Sequence, residues 1–269
     1  MWIGSPLRGA FRLFSYVALT LLLLPIYLSA TALRIQPVIR WMPVAYHRIV
    51  CFLLGIKVQV RGTRSGVTPT LFVCNHVSYL DIEVLGGLVP GSFVAKAEVA
   101  TWPFFSTLAK AQRTIFIERT SGKTSASRDE MMRRLNTGDN LLLFPEGTSS
   151  DGTRVLPFRS ALFGVAQLRR DEKPIVVQPV AISYTRLDGI PLGRYWRPLF
   201  AWFGDLDLVP HLWQMVCLGE TEAVVTFFPP VDIDQLGDRK KLAEFCYRQV
   251  SLGVQAANSG RYELLPRLA

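Results

Sequence analysis

His76 and Asp81, five positions apart in Asn75-His76-Val77-Ser78-Tyr79-Leu80-Asp81, pair a base with a carboxylate at a spacing that lets the acid hold the imidazole. Leu71-Phe72-Val73-Cys74 reads as a buried strand, so His76 falls just past a strand's carboxyl end, where open α/β sheets place their ligands. If Ser78 starts a helix, Asp81 lies in its first turn and can reach back to the ring. A carboxylate there fixes the tautomer and stabilises the imidazolium that a general base becomes. The pair could take a proton from a hydroxyl but has no nucleophile of its own. Ser78-x-x-Asp81 is also a capping box, in which serine and acid only satisfy the free amides of a helix start. Spacing alone leaves both readings open.

Two further strand ends carry polar residues that a core does not need. Thr114-Ile-Phe-Ile117 is bounded by Arg113 and by Glu118-Arg119. Leu141-Leu-Leu-Phe144 runs into Pro145-Glu146-Gly147-Thr148-Ser149, where proline and glycine force a tight turn that brings backbone amides toward a ligand. Arginine suits bidentate contact with phosphate. Each feature taken singly is also an ordinary solvated strand end or turn. The chain contains no G-x-S-x-G elbow, which disfavours a serine hydrolase. Three histidines and four scattered cysteines (Cys51, Cys74, Cys217, Cys246) offer neither a zinc site nor a disulfide framework. The thiols read as small core residues in a reducing compartment.

The elements that must position these residues follow from pattern. Short apolar runs at 57–61, 71–74, 93–95, 114–117, 141–144, 175–183 and 223–228 alternate with helical candidates at 80–88, 103–111, 124–137 and 158–169. A last helix is expected from about Asp238 to Ala256, with Leu242, Phe245, Cys246 and Val250 on one face. Such alternation predicts an α/β domain with a mostly parallel sheet flanked by helices. At 269 residues and 49% hydrophobic content, one catalytic domain, residues 57–269, is expected behind an N-terminal segment, residues 1–56.

That segment reads as a membrane anchor. Residues 13–33 are 21 in number and uncharged, about 31 Å as a helix and so close to the hydrocarbon thickness, with Pro25 near the middle. They could span or re-enter the bilayer. Residues 35–56, interrupted by Arg40, His47 and Arg48, suit a helix lying in the interface. Of the net charge of +9, residues 1–80 contribute eight basic side chains and no acid, while the rest holds 22 basic and 21 acidic residues. Positive charge beside the most apolar stretch points to anionic lipid rather than to nucleic acid, for which no signature is present. In 185–217, Tyr195, Trp196, Trp202, Phe203 and Trp213 are interleaved with Arg186, Arg194, Arg197 and His211, a mixture that suits either a membrane interface or an insertion covering the core.

Taken together and in order, Asn75-His76-x-Ser78-x-x-Asp81, Ile115-Phe116-Ile117-Glu118-Arg119, Phe144-Pro145-Glu146-Gly147-Thr148 and Val177-Gln178-Pro179-Val180-Ala181 resemble the four motifs of the glycerolipid acyltransferases typified by 1-acyl-sn-glycerol-3-phosphate acyltransferase. The resemblance covers about residues 50–230. It implies direct transfer of a fatty acyl group from acyl-CoA or acyl carrier protein to a lysolipid hydroxyl, with no further cofactor. By the same resemblance His76 is the general base and Asp81 its orienting acid. Arg119, Glu146, Gly147 and Thr148 bind the acceptor, and Pro179 lies on the acyl-donor side. Glu118 stands where the family often has aspartate. Trp202-Phe-Gly-Asp-Leu-Asp-Leu-Val-Pro-His-Leu-Trp213 resembles a segment of bacterial members, some of which acylate lyso-ornithine lipid instead of lysophosphatidic acid. The expectation is therefore a bacterial enzyme of the cytoplasmic membrane, its catalytic domain on the cytoplasmic side. It would make phosphatidic acid or, alternatively, ornithine lipid; a silent lipid-binding protein is the alternative of another class.

Overall fold

In the computed structural model, residues 4–96, 105–117, 124–170 and 172–265 are described. The strands are β1 Ile56–Arg61, β2 Thr70–Cys74, β3 Ser92–Lys96, β4 Ile115–Ile117, β5 Leu141–Leu143, the small hairpin β6 Arg169–Arg170 with β7 Lys173–Pro174, β8 Val176–Leu187, β9 Ile190–Pro191 and β10 Thr221–Phe227. The helices are α1 Pro6–Ala32, α2 Gln36–Leu54, α3 Leu80–Gly86, α4 Phe105–Ala111, α5 Thr124–Asn136, α6 Leu208–Cys217, α7 Ile233–Leu236 and α8 Arg239–Ser259. The main sheet has the order β1-β10-β8-β2-β5-β3-β4, with β9 folded back on β8. From β8 to β4 every pair is parallel; β10 runs antiparallel to β8 and parallel to β1. The mostly parallel α/β sheet expected from the alternation is present.

Strands in the middle of this sheet are apolar on both sides because helices cover both faces. The two-residue period divides them cleanly. Phe72, Cys74 and Leu142 join Val84, Leu85, Phe93, Ile182 and Tyr184 in one core. Their neighbours Leu71, Val73, Leu141 and Leu143 join Leu135, Phe163, Leu242 and Cys246 in the other. The helix expected over 158–169 is instead a 3-10 segment, Ser160–Gln167. Gly164 in its centre and the lack of a side-chain cap at Arg159 deprive it of α-helical support. The last helix begins as read: Asp238 caps α8 through the amides of Lys240 and Lys241.

Helices α1 and α2 form an antiparallel hairpin packed on α3 and α6. α1 is long and apolar enough to cross a membrane. Its Arg12, expected among the basic residues facing lipid, is buried. Its guanidinium donates to the carbonyls of Leu218 at 2.7 Å, Val216 at 3.2 Å and Gly219 at 3.3 Å, at the carboxyl end of α6. A cation there satisfies carbonyls that the helix leaves open. Gly9 permits the close approach, since a Cβ on it would clash with Cys217 Sγ.

Candidate active site

β2 ends at Cys74, yet its partner β8 continues to Leu187. Asn75 bridges the mismatch with its side chain: Nδ2 donates to the Ile182 carbonyl at 3.0 Å and Oδ1 accepts from the Ile182 amide at 2.9 Å. The amide thus imitates one more rung of the ladder while the backbone turns out of the sheet. His76 is the first residue past that turn.

Asp81 sits fully buried at the start of α3. Its Oδ2 accepts from His76 Nδ1 at 2.8 Å, from the Val77 amide at 2.7 Å and from the Ser78 amide at 3.0 Å. Its Oδ1 accepts from the Tyr184 hydroxyl at 2.9 Å. Four donors on one carboxylate define its ionised form and set the His76 tautomer with the proton on Nδ1. Nε2 keeps its lone pair, and no described residue bonds to it. The capping-box reading survives in half: the acid holds amides of the turn, but Ser78 Oγ has no partner among the described residues. Asp81 therefore shapes the loop and orients the ring at once.

The ring stacks on Phe144 at 4.2 Å between centroids. Behind it runs the turn from Pro145 to Ser150, tied to His76 through the Ser150 amide on the His76 carbonyl at 2.8 Å. Gly147 takes φ +68, a left-handed conformation that favours glycine. Glu146, expected to bind the acceptor, is buried against the dyad: Oε1 accepts the His76 amide at 3.3 Å, and Oε2 has no partner among the described residues. Burial, reinforced by the charge of Asp81, pushes its carboxyl up to about 9, against the lowering effect of the His76 and Leu156 amides.

His76 lines a cavity of about 480 Å³ that also takes in Gly147 and Thr148 from the turn. Most of its wall is apolar. Tyr16, Leu23, Leu24 and Tyr27 of α1 and Met42 and Tyr46 of α2 form one side; Ile82, Phe93, Val94 and Leu108 form another. Trp202, Phe203 and Leu208 close the mouth, with the Trp202 amide on the Val77 carbonyl at 3.0 Å. The aromatic stretch after β9 thus covers the site, while Tyr195 and Trp196 stay exposed. A polar knot crosses the wall, where His47 Nδ1 meets Glu83 Oε2 at 2.6 Å, His47 Nε2 meets Gln112, and Thr20 meets the Tyr46 hydroxyl at 2.8 Å. The sequence assigned none of these to a site, because their partners come together from α1, α2, α3 and the residue after α4. Such a cavity has a lining apolar enough for an acyl chain, with the His76 ring at its wall.

Not every expected site residue is brought here. Pro179 pairs with Val73 inside the sheet and is not among the residues lining the cavity; its carbonyl accepts the Phe228 amide at 3.0 Å just past the end of β10. Arg113 lies at the far end of β4, paired with Asp139. Glu118 and Arg119 lie outside the described residues. Among the described residues no three His, Cys, Asp or Glu side chains converge as metal ligands, and the four cysteines are free and buried.

Residues 57–183 match the family model described as Acyltransferase. Relatives named lyso-ornithine lipid O-acyltransferase are 42% identical over 261 residues in Brucella abortus (94% of this chain, 97% of the relative) and 40% over 253 residues in Rhizobium meliloti (93% and 85%). A 1-acyl-sn-glycerol-3-phosphate acyltransferase of Neisseria gonorrhoeae is 32% identical over 175 residues, 65% of each chain. The crystal structure of the 1-acyl-sn-glycerophosphate (LPA) acyltransferase PlsC from Thermotoga maritima shares the fold, with TM-score 0.69 and 20% identity over 93% of this chain and 94% of that one. The chain belongs to the acyltransferase family that contains these lysolipid O-acyltransferases.

Proposed function

We propose that this acyltransferase uses lyso-ornithine lipid as its acceptor, with acyl carrier protein or acyl-CoA as donor, and that His76 and Asp81 carry the chemistry. The observation that supports the acceptor is similarity of 40–42% along nearly the whole chain to relatives of that name, against 32% over 65% for a relative named for the phosphate acceptor. In this reading His76 Nε2 takes the proton of the acceptor hydroxyl as its oxygen attacks the thioester carbonyl, a contribution of about 10²- to 10⁴-fold. The tetrahedral adduct expels the thiolate, which recovers that proton from the imidazolium; ester and thiol leave. A thioester is already activated, so the reading assigns the reaction no metal or prosthetic group.

Gly147, Thr148 and Arg119 belong to the acceptor side in this proposal, and Glu146 to the support of His76. Residues 1–56 serve as the membrane anchor of domain 57–269: one stripe of α1 and α2 lines the cavity, and the other exposes Leu7, Phe11, Phe14, Leu21, Leu22 and Phe52 to lipid. The enzyme would work on the cytoplasmic face of the cytoplasmic membrane, where both acyl donors reside. An intact dyad on the cavity argues against a silent lipid-binding protein. Purified membranes given labelled acyl donor and a panel of lysolipids test the proposal. Label should enter ornithine lipid. Label in phosphatidic acid alone would replace the acceptor, and label in neither would remove the reaction.

A further inference from the structure

Asp81 owes its place to α3, which is seven residues long and has no side-chain cap at Tyr79. A helix this short does not hold itself in water and takes its position from its neighbours. Leu80, Val84 and Leu85 pack into the core on one side. Such packing is non-directional and leaves the helix free to slide or turn. The other side is fastened to α2. His47 Nδ1 meets Glu83 Oε2 at 2.6 Å, and Arg48 Nε donates at 2.7 Å to the carbonyl of Gly87, just past the carboxyl end of α3. Between these two points Gly86 lies flush against the His47 imidazole, where a Cβ would collide with the ring. His47 is buried, and its Nε2 meets the side-chain amide of Gln112, so both ring nitrogens are engaged. The molecule thus carries a second histidine–carboxylate pair, close to Asp81 along α3, which takes no step in the proposed acyl transfer.

We propose that His47 and Glu83 are positioning residues: they fix α3 to α2, and α3 in turn holds Asp81 against His76. The assignment rests on the dyad mechanism proposed above. Asp81 and Glu83 point about 200° apart around the helix, one toward the turn of His76 and the other toward α2. The helix between them acts as a strut. At its catalytic end the turn is tied independently to the sheet by Asn75 and to neighbouring loops by the Ser150 and Trp202 amides. Three of the four donors on Asp81 belong to that turn, so the carboxylate meets them only while α3 keeps its register. A shift of about 1 Å would part Oδ2 from Nδ1, and misplacement of that size costs about a hundredfold in rate. His47 and Glu83 lie in the cavity wall, whereas Arg48 is not among the lining residues and bears on α3 from outside. Since α2 belongs to the anchor segment, the dyad is aligned from the membrane side of the molecule.

The test is a double-mutant cycle in the full chain, in which Glu83→Ala and Arg48→Ala are each made alone and together with Asp81→Asn. Alone, Glu83→Ala should lower kcat about tenfold to a hundredfold while both KM values hold, and Arg48→Ala should do so by a smaller factor. Glu83→Gln keeps an oxygen for His47 and should recover most of the loss. In the Asp81→Asn background neither alanine should cost much more, because the group they position is already gone. The chain has three histidines, so isotope-labelled histidine gives few ring signals; that of His76 should lose its single tautomer in folded Glu83→Ala. Losses that add in full to that of Asp81→Asn would overturn the proposal. So would a loss confined to a KM, which would make Glu83 a substrate contact, or an unchanged kcat in Glu83→Ala. Arg48 is exposed, so Arg48→Ala keeps the fold and decides by the same criteria if Glu83→Ala does not. Near-normal turnover in Asp81→Asn alone would remove the dyad mechanism and this proposal with it, whereas loss there with none in Glu83→Ala would leave the dyad standing and remove only the strut.

Discussion

Glu146→Gln separates two roles that a glutamate in this motif could have. If the side chain supports His76 as a neutral group, glutamine preserves its shape and the acceptor oxygen for the His76 amide, and only the ability to ionise is lost. The sign follows from the direction of the shift. The carboxyl ionises at 4.5 when free and at about 9 in the folded chain, so between those values the native state keeps a proton that the unfolded chain releases. Native stability from this group is complete below 4.5 and declines as pH rises, by about 1.4 kcal/mol per pH unit. At pH 7 the deficit is about 3 kcal/mol, and it approaches about 6 kcal/mol near pH 9. Glutamine pays no such penalty. Thermal melts in detergent from pH 5 to 9 should show Glu146→Gln gaining on the native enzyme as pH rises, with acyl transfer largely kept. A stability difference independent of pH would refute the neutral, buried carboxyl. Stable protein with a raised acceptor KM would return Glu146 to the acceptor site.

The dyad gives the sharpest kinetic outcomes: His76→Ala should abolish acyl transfer with expression and membrane association intact, and Asp81→Asn should lose about 10²-fold or more in kcat; near-normal turnover in either would remove the mechanism. Arg12→Ala strands three carbonyls at the end of α6 and should cost about 3 kcal/mol, read as a lower detergent melting temperature and faster proteolysis of 195–217; an unchanged melt would make the contact incidental. Arg119→Lys should raise the acceptor KM about tenfold without changing that of the donor, since the fork is lost and the charge kept; kinetics unaffected for every acceptor would place this arginine outside the site.

The residues of the proposed dyad were readable because each is specified locally. A strand of four apolar residues, a turn and a helix start are enough to put His76 at a sheet end with Asp81 one turn on, and Pro145 to Gly147 announce their own turn. What the sequence hides is whatever depends on two distant elements meeting. Tyr184 donates to Asp81 from 103 positions away, inside a strand whose periodicity explains its burial without any site. The stripe of α1 and α2 that lines the cavity carries Tyr16, Thr20, Tyr27, Tyr46 and His47 among its apolar residues, while the stripe that faces away is leucine and phenylalanine, but only the packing on α3 and α6 says which of the two turns inward. Arg12 was misread for the same reason: a basic residue beside an apolar run looks like a lipid contact until α6 arrives to offer it three carbonyls. Ser78 looked like a cap because its spacing fits one, but Asp81 takes both amides of the turn and leaves the hydroxyl out.

Two carboxyl groups flank the backbone of His76, and the structure surrounds them differently. Asp81 is buried but surrounded by four donors, which is a solvation shell made of protein, so its charge is tolerated where it can steady an imidazolium. Glu146 is equally withdrawn from water, yet two amides on one side cannot offset burial and the neighbouring charge, so it stays protonated. The division matters for a base that must give its proton back. In the proposed mechanism one matched anion beneath Nδ1 steadies the ring as it takes the hydroxyl proton, and the uncharged Glu146 adds no second anion at its backbone.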